Sequence, residues 1–148
     1  MSTYTQIIYH IVFSTKERRG TLDLENHEEL FRYVWGILKN KKCHVYQING
    51  YSDHLHILTS LHPALALSNL VKDIKLASSQ WIQKKKMFPA FSGWQNGYSA
   101  FTHSINEKSR IIRYIQGQKE HHKAYSFKEE LADLLKRAGI EFDLEHLA

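Results

Sequence analysis

Four β-prone runs, with one amphipathic helical run after the first and another after the third, restrict this chain to very few topologies. Residues 6–14 (QIIYHIVFS) are crowded with β-branched and aromatic side chains and apolar in both parities, as expected of a strand inside a sheet. Asn26 stands where a helix N-cap is needed, with Glu29 three residues on as its capping-box partner. Leu30, Phe31, Val34, Ile37 and Leu38 then recur at helical spacing before the polar run Lys39-Asn40-Lys41-Lys42. A second strand is expected at about residues 43–48. Asn49-Gly50 is a turn signal, and the loop through Asp53 leads into a third strand, so the two should pair as an antiparallel hairpin. After Pro63, Ser68 is placed to cap a second helix whose buried face carries Leu70, Val71, Ile74, Ala77, Trp81 and Ile82. Lys84-Lys85-Lys86 close it, where the helix dipole favours cations, and Pro89 opposes continuation. In the loop over residues 88–97, Trp94 is expected to plug the edge of the core, and residues 98–103 (YSAFTH) make a fourth strand.

This β-α-β-β-α-β order is the ferredoxin-like pattern: an α+β fold with an RRM-like four-stranded antiparallel sheet and two helices on one face. Its first and third strands are central. Two more helices follow. Ser104 with Glu107 opens one over roughly residues 107–122, and Ser126 with Glu129 opens another, bearing Phe127, Leu131, Leu134 and Leu135, with Gly139 placed to end it. The helix after the fourth strand is the expected cover for the open face of the sheet. The tail over residues 140–148 is acidic and partly apolar, suited to docking on the body or on a second subunit. The expectation is a single domain over 1–148, with 126–148 as a C-terminal helix and tail.

At 148 residues and 43% apolar the chain can bury a real core, and no run approaches the length of a transmembrane helix. No basic start followed by an apolar stretch marks a signal peptide, and a single cysteine, Cys43, excludes an internal disulfide. Both suit a cytoplasmic location with no membrane partner. The formal charge of +5 favours an acidic partner such as nucleic acid.

The third strand contains Ser52-Asp53-His54-Leu55-His56-Ile57-Leu58. Successive strand side chains point to opposite faces, so His54 and His56 share one face while Leu55 and Ile57 share the other. Two imidazoles so placed can hold one metal ion. The helix after the fourth strand carries Ile111-Ile112-Arg113-Tyr114-Ile115-Gln116-Gly117-Gln118. Tyr114 and Gln118 are about 40° apart around it, at the edge of the stripe formed by Ile111 and Ile115. If it covers the open face, Gln118 can offer a carbonyl as a third ligand and Tyr114 a phenol nearby. Lys16, Arg18 and Arg19 form a basic loop suited to phosphate contacts.

Taken together, these segments resemble the single-tyrosine HUH transposases of the IS-two-hundred-like family, over nearly the whole chain. The matching stretches are Tyr9 to Lys16, Asp53-His54-Leu55-His56, Trp94 to Tyr98, and Tyr114 through Gln118 to His121-His122. The resemblance implies Tyr114 as nucleophile, His54, His56 and Gln118 as ligands of Mg²⁺ or Mn²⁺, and a homodimer acting on single-stranded DNA, with hairpins at the ends of a mobile element. The implied reaction is cleavage and rejoining of DNA by transesterification through a 5′-phosphotyrosine intermediate. Arg110 and Arg113, close to Tyr114 in the sequence, are candidate DNA contacts on their own account. His103 departs from the pattern, standing where an apolar residue is expected at the end of the fourth strand. The rival readings are a non-catalytic RRM-like nucleic-acid-binding protein and a domesticated, inactive relative. The strands lack the aromatic signature of an RNA-binding sheet, and the catalytic set is intact.

Overall fold

The structure, a computed structural model, describes residues 2–147; Met1 and Ala148, the outermost residues of the start and tail considered above, lie outside the described residues. Strand β1 (Ile8–Ser14) is buried at every position except Tyr9, which is half-buried, because it runs through the middle of the sheet. Helix α1 (His27–Asn40), β2 (Val45–Tyr51), β3 (His54–Ser60), α2 (Leu67–Lys85) and β4 (Ser99–Thr102) complete the expected six-element pattern. The strand order is β2-β3-β1-β4 with every pairing antiparallel, so β1 and β3 are central. The register sets Val12 opposite His56 and Ser14 opposite His54.

One face of the sheet is apolar throughout. Ile11, Phe13, Leu55 and Ile57 pack beneath Leu30, Val34 and Leu38 of α1 and Leu70, Val71, Ile74 and Ile82 of α2. Trp94 plugs the edge of this layer, edge-on to Phe13 and Phe91, with its indole N–H donating to Ser78 Oγ at 3.0 Å.

The opposite face has a shared cover rather than a single helix. Ile111 and Ile115 of α3 (Lys108–Gln116) pack on Ile8 and Leu58, while Phe127, Leu131 and Leu135 of α5 (Phe127–Arg137) pack on Val12 and Phe101. Phe142 and Leu147 of the tail join the second cluster, so the tail docks on the body. The capping boxes at Ser104 and Ser126 both form. Gly139 has φ +71, the left-handed conformation that ends α5.

Several local expectations are corrected. Asn26 does not cap α1; a short 3₁₀ turn, Leu24–Asn26, precedes the helix, and the Asn26 amide donates to the Met87 carbonyl at 3.3 Å. The α2 helix begins at Leu67, before Ser68, so Ser68 lies inside it. Asn49 and Gly50 are not a turn but lie within β2, and the chain reverses at Ser52-Asp53. Gly50 is required by close approach: a Cβ there would lie 2.2 Å from the His54 carbonyl oxygen. Asn49 instead reaches the late helix, its amide donating to the carbonyls of Ile115 (2.9 Å) and Gln116 (3.2 Å). That helix is interrupted at Gly117, a poor helix former, and resumes as α4 (Gln118–His121). The Asn49 side chain satisfies carbonyls left at the break and accepts from Lys119 Nζ at 2.8 Å.

Candidate active site

The strand alternation of β3 turns His54 and His56 onto the face covered by α3 and α5, and both are fully buried. Each outer ring nitrogen is held. His54 Nδ1 lies 2.7 Å from Asp53 Oδ1, at the turn, and His56 Nδ1 lies 2.7 Å from Nε2 of His10, the β1 residue beside it. The Nε2 atoms therefore point inward, toward the two covering helices.

Tyr114, Gln118 and His122 occupy successive turns of the α3–α4 segment and face the histidines. Gln118 is fully buried, its Oε1 lying 2.9 Å from His54 Nε2 and 3.0 Å from His122 Nε2. From α5, Glu130 enters the centre of this group. Its Oε1 lies 3.2 Å from His54 Nε2, 3.1 Å from His56 Nε2 and 2.9 Å from His122 Nε2. Its Oε2 accepts from Gln118 Nε2 at 2.7 Å and from the Tyr114 hydroxyl.

The electrostatics follow from this packing. Burial would raise the Glu130 carboxyl, but hydrogen bonds from His122, His54 and His56 hold it well below the usual carboxylate range. Burial would lower His54, yet Asp53 and Glu130 at its two nitrogens raise it to about 9. For His56 and His10 burial prevails, and both are pushed down. Burial and the adjacent Glu130 carboxylate raise the Tyr114 phenol. In this arrangement the phenol holds its proton, and forming phenolate requires compensating positive charge.

Imidazole nitrogens, a carboxamide oxygen and a carboxylate form a donor set suited to a divalent transition metal. His54, His122 and Glu130 offer ligand atoms within 4.8 Å of one another. His121 Nε2, 3.7 Å from Glu130 Oε2, has no hydrogen-bond partner among the described residues. Tyr114 lies between two open clefts. One, of about 660 Å³, is lined by His10, Phe101, His103, Arg110, Tyr114 and Arg137. The other, of about 810 Å³, runs past His121, Tyr125 and Glu130.

The structure brings Tyr114, His54, His56 and Gln118 together, as the sequence suggested. Of the expected basic contacts, Arg110 lines the first cleft, exposed and bridged to Glu107 at 2.8 Å, while Arg113 is exposed on the same helix. Lys16, Arg18 and Arg19 lie elsewhere, in the turn after β1. Thr15, just before them, is tied to the Asp53 carbonyl at 2.8 Å, and Arg19 pairs with Glu17. His103 flanks the cleft, its ring centroid 6.2 Å from that of His10.

Sequence reasoning missed His10, Glu130 and a role for His122. His122 could have been found, since it lies four residues beyond Gln118 on the same helical stripe. Glu130 had a fainter signal: it is a charged residue inside the stripe Phe127, Leu131, Leu134, Leu135.

Residues 3–118 match the family model for IS200-like transposases. The ISDra2 transposase TnpA of Deinococcus radiodurans is 28% identical over 118 residues, covering 76% of this chain and 84% of its own length. Among solved structures, a candidate transposase of the same organism superposes with a TM-score of 0.61 at 23% identity, over 80% of this chain and 95% of the other. A REP-associated tyrosine transposase bound to a REP hairpin superposes with a TM-score of 0.60 at 13% identity, over 100% of this chain and 92% of the other. At those identities the two structures speak for the fold alone. No helix among the described residues is long and apolar enough to cross a membrane.

Proposed function

The chain belongs to the family of IS200-like transposases, and from that premise we propose that it cleaves and rejoins single-stranded DNA by transesterification at Tyr114. The phenol oxygen attacks the scissile phosphorus, forming a 5′-phosphotyrosine bond as the bond to the 3′ oxygen breaks. The phenol gives up its proton as it attacks, and the departing 3′ oxygen takes one up from solvent and leaves as a hydroxyl, so the net transfer is one proton from phenol to 3′ oxygen. Because the phosphotyrosine conserves the phosphodiester bond, a later 3′-hydroxyl can attack it and reseal the strand without ATP.

The observation that carries this reading is the meeting of Tyr114 Oη, Gln118, His54 and His56 around one carboxylate. His54, His56 and Gln118 would hold a divalent metal, Mg²⁺ or Mn²⁺, which would supply positive charge to a non-bridging phosphate oxygen. Asp53 and His10 orient the two imidazoles from behind. Glu130 Oε2 orients the phenol through its hydrogen bond. Arg110 and Arg113 lie on the nucleophile's own helix, and Lys16, Arg18 and Arg19 supply further phosphate contacts. The DNA partner is a strand bearing hairpins at element ends, and the protein acts as a homodimer, as the family resemblance implies.

The test uses labelled single-stranded DNA from the gene's own flanks, with Mn²⁺. The wild-type chain forms a denaturation-resistant protein–DNA species. Tyr114→Phe forms none while binding DNA nearly as well. An adduct that survives in Tyr114→Phe makes another of the eight tyrosines the nucleophile and refutes the assignment.

A further inference from the structure

Hydrogen bookkeeping around Glu130 is incomplete when the imidazoles are neutral. Asp53 Oδ1 and the Tyr125 carbonyl oxygen can only accept, so the outer nitrogens they face, Nδ1 of His54 and of His122, both 2.7 Å away, carry the ring hydrogens. Neutral rings then present bare Nε2 lone pairs to the centre. Gln118 has its amide nitrogen committed to Glu130 Oε2, so it turns only its oxygen toward them. Lone pairs on His54 Nε2, His122 Nε2, Gln118 Oε1 and Glu130 Oε1 thus converge at separations of 2.9–3.2 Å. Such a cluster needs positive charge at its middle, supplied either by two buried imidazolium ions or by one divalent cation.

The spacing suits the cation. Adjacent donors around an ion bound at about 2.1 Å are roughly 3 Å apart in an octahedral shell. The outer contacts suit it too, since metal-bound histidine typically donates its second ring nitrogen to a carboxylate or a backbone carbonyl. Asp53 and Glu130 together balance a charge of two.

Resting on the metal-dependent reading above, we propose that His122 Nε2 and Glu130 Oε1 are metal ligands in addition to His54, His56 and Gln118. The C-terminal helix α5 is then fastened to the sheet through the ion. Both residues lie beyond residue 118, where the family match ends. The donors that converge most closely are His54 Nε2, His122 Nε2, Gln118 Oε1 and Glu130 Oε1, while His56 Nε2 joins them through Glu130 Oε1 at 3.1 Å. Three imidazoles select Mn²⁺ over Mg²⁺. Glu130 links the two halves of the site, one oxygen on the ion and the other on the Tyr114 hydroxyl.

Titration calorimetry with Mn²⁺ on the full chain, without DNA, tests this directly. Glu130→Gln, which keeps the side chain's volume, and His122→Phe, which keeps its stacking on Tyr51, should each weaken binding about 10- to 100-fold. His54→Ala, the control for the site itself, should abolish it. In the wild type, Mn²⁺ should slow amide exchange in α5, and this protection should vanish in Glu130→Gln. Pulsed EPR of the bound Mn²⁺ should count three coupled imidazole nitrogens in the unaltered protein, independent of any variant's stability. Wild-type affinity in Glu130→Gln, or only two coupled nitrogens, overturns the proposal while His54→Ala still upholds the smaller site. Failure of the wild type to bind Mn²⁺, or undiminished binding by His54→Ala, overturns the metal centre and this proposal together.

Discussion

Leu55 and Ile57 on one side of β3, and His54 and His56 on the other, are equally removed from solvent, yet they do opposite work. The apolar pair meets α1 and α2 in a layer where burial itself is stabilising. The histidines meet a carboxylate, an amide and a phenol, where burial is unfavourable unless every polar atom is partnered. One alternating strand thus divides a stabilising layer from a chemical one only a sheet's thickness away. The polar layer is framed by small apolar clusters, Ile8 with Leu58 and Ile115 on one flank and Val12 with Phe127 and Leu131 on the other, which hold its covering helices in place.

Substitutions should separate the two layers. The largest effect is expected on the polar side: His56→Ala should reduce covalent adduct formation by roughly 10³-fold or more, read on labelled single-stranded DNA, since both metal and phosphate would lose their anchor. On the apolar side, Leu55→Ala should cost about 2–5 kcal/mol in urea unfolding, while the fraction that remains folded forms adduct at an undiminished rate. Gly50→Ala should blur the division. Its new methyl group would press on the His54 backbone oxygen, so we expect a loss of about 1–3 kcal/mol together with weaker Mn²⁺ binding. Stability lost without any change in metal affinity would show that β2 and the His54 backbone are not coupled in this way.

The smallest effect is pH-dependent and arises under the α1 layer. Burial, reinforced by Lys119 and only partly opposed by the Leu22 carbonyl, lowers His27 from 6.5 to about 4. The unfolded chain therefore binds this proton first. The stability His27 preserves is complete above pH 6.5 and is lost as pH falls toward about 4. His27→Gln should flatten that part of the profile of urea midpoint against pH; an unchanged slope would assign the acid sensitivity to other groups.

What the sequence revealed, and what it hid, divides along similar lines. The parity of His54 and His56, and the one-turn spacing of Tyr114 and Gln118, are local periodicities that survive any packing, and so they were legible. The element order was legible because two crossover helices and a short hairpin leave little topological choice. Asn49-Gly50 misled because the same dipeptide serves a tight turn and a close backbone approach, and only the proximity of the His54 carbonyl distinguishes them. Glu130 was hidden for a related reason. An isolated glutamate in an apolar helical stripe looks like a boundary residue until the histidines of another element are seen to surround it. The shared cover was missed because the open face was assigned to one helix, although Phe127, Leu131 and Leu135 already marked α5 as a second.

In the site proposed above, the Tyr114 phenol meets His54 and His56 of its own chain. Co-expressing a Tyr114→Phe chain with a His56→Ala chain and purifying the mixed form of the proposed homodimer tests this arrangement, with the wild-type protein as reference. No covalent adduct with single-stranded DNA is expected, because each chain lacks half of its own site. Adduct formation restored in the mixed dimer, carried by the chain that retains Tyr114, would contradict it.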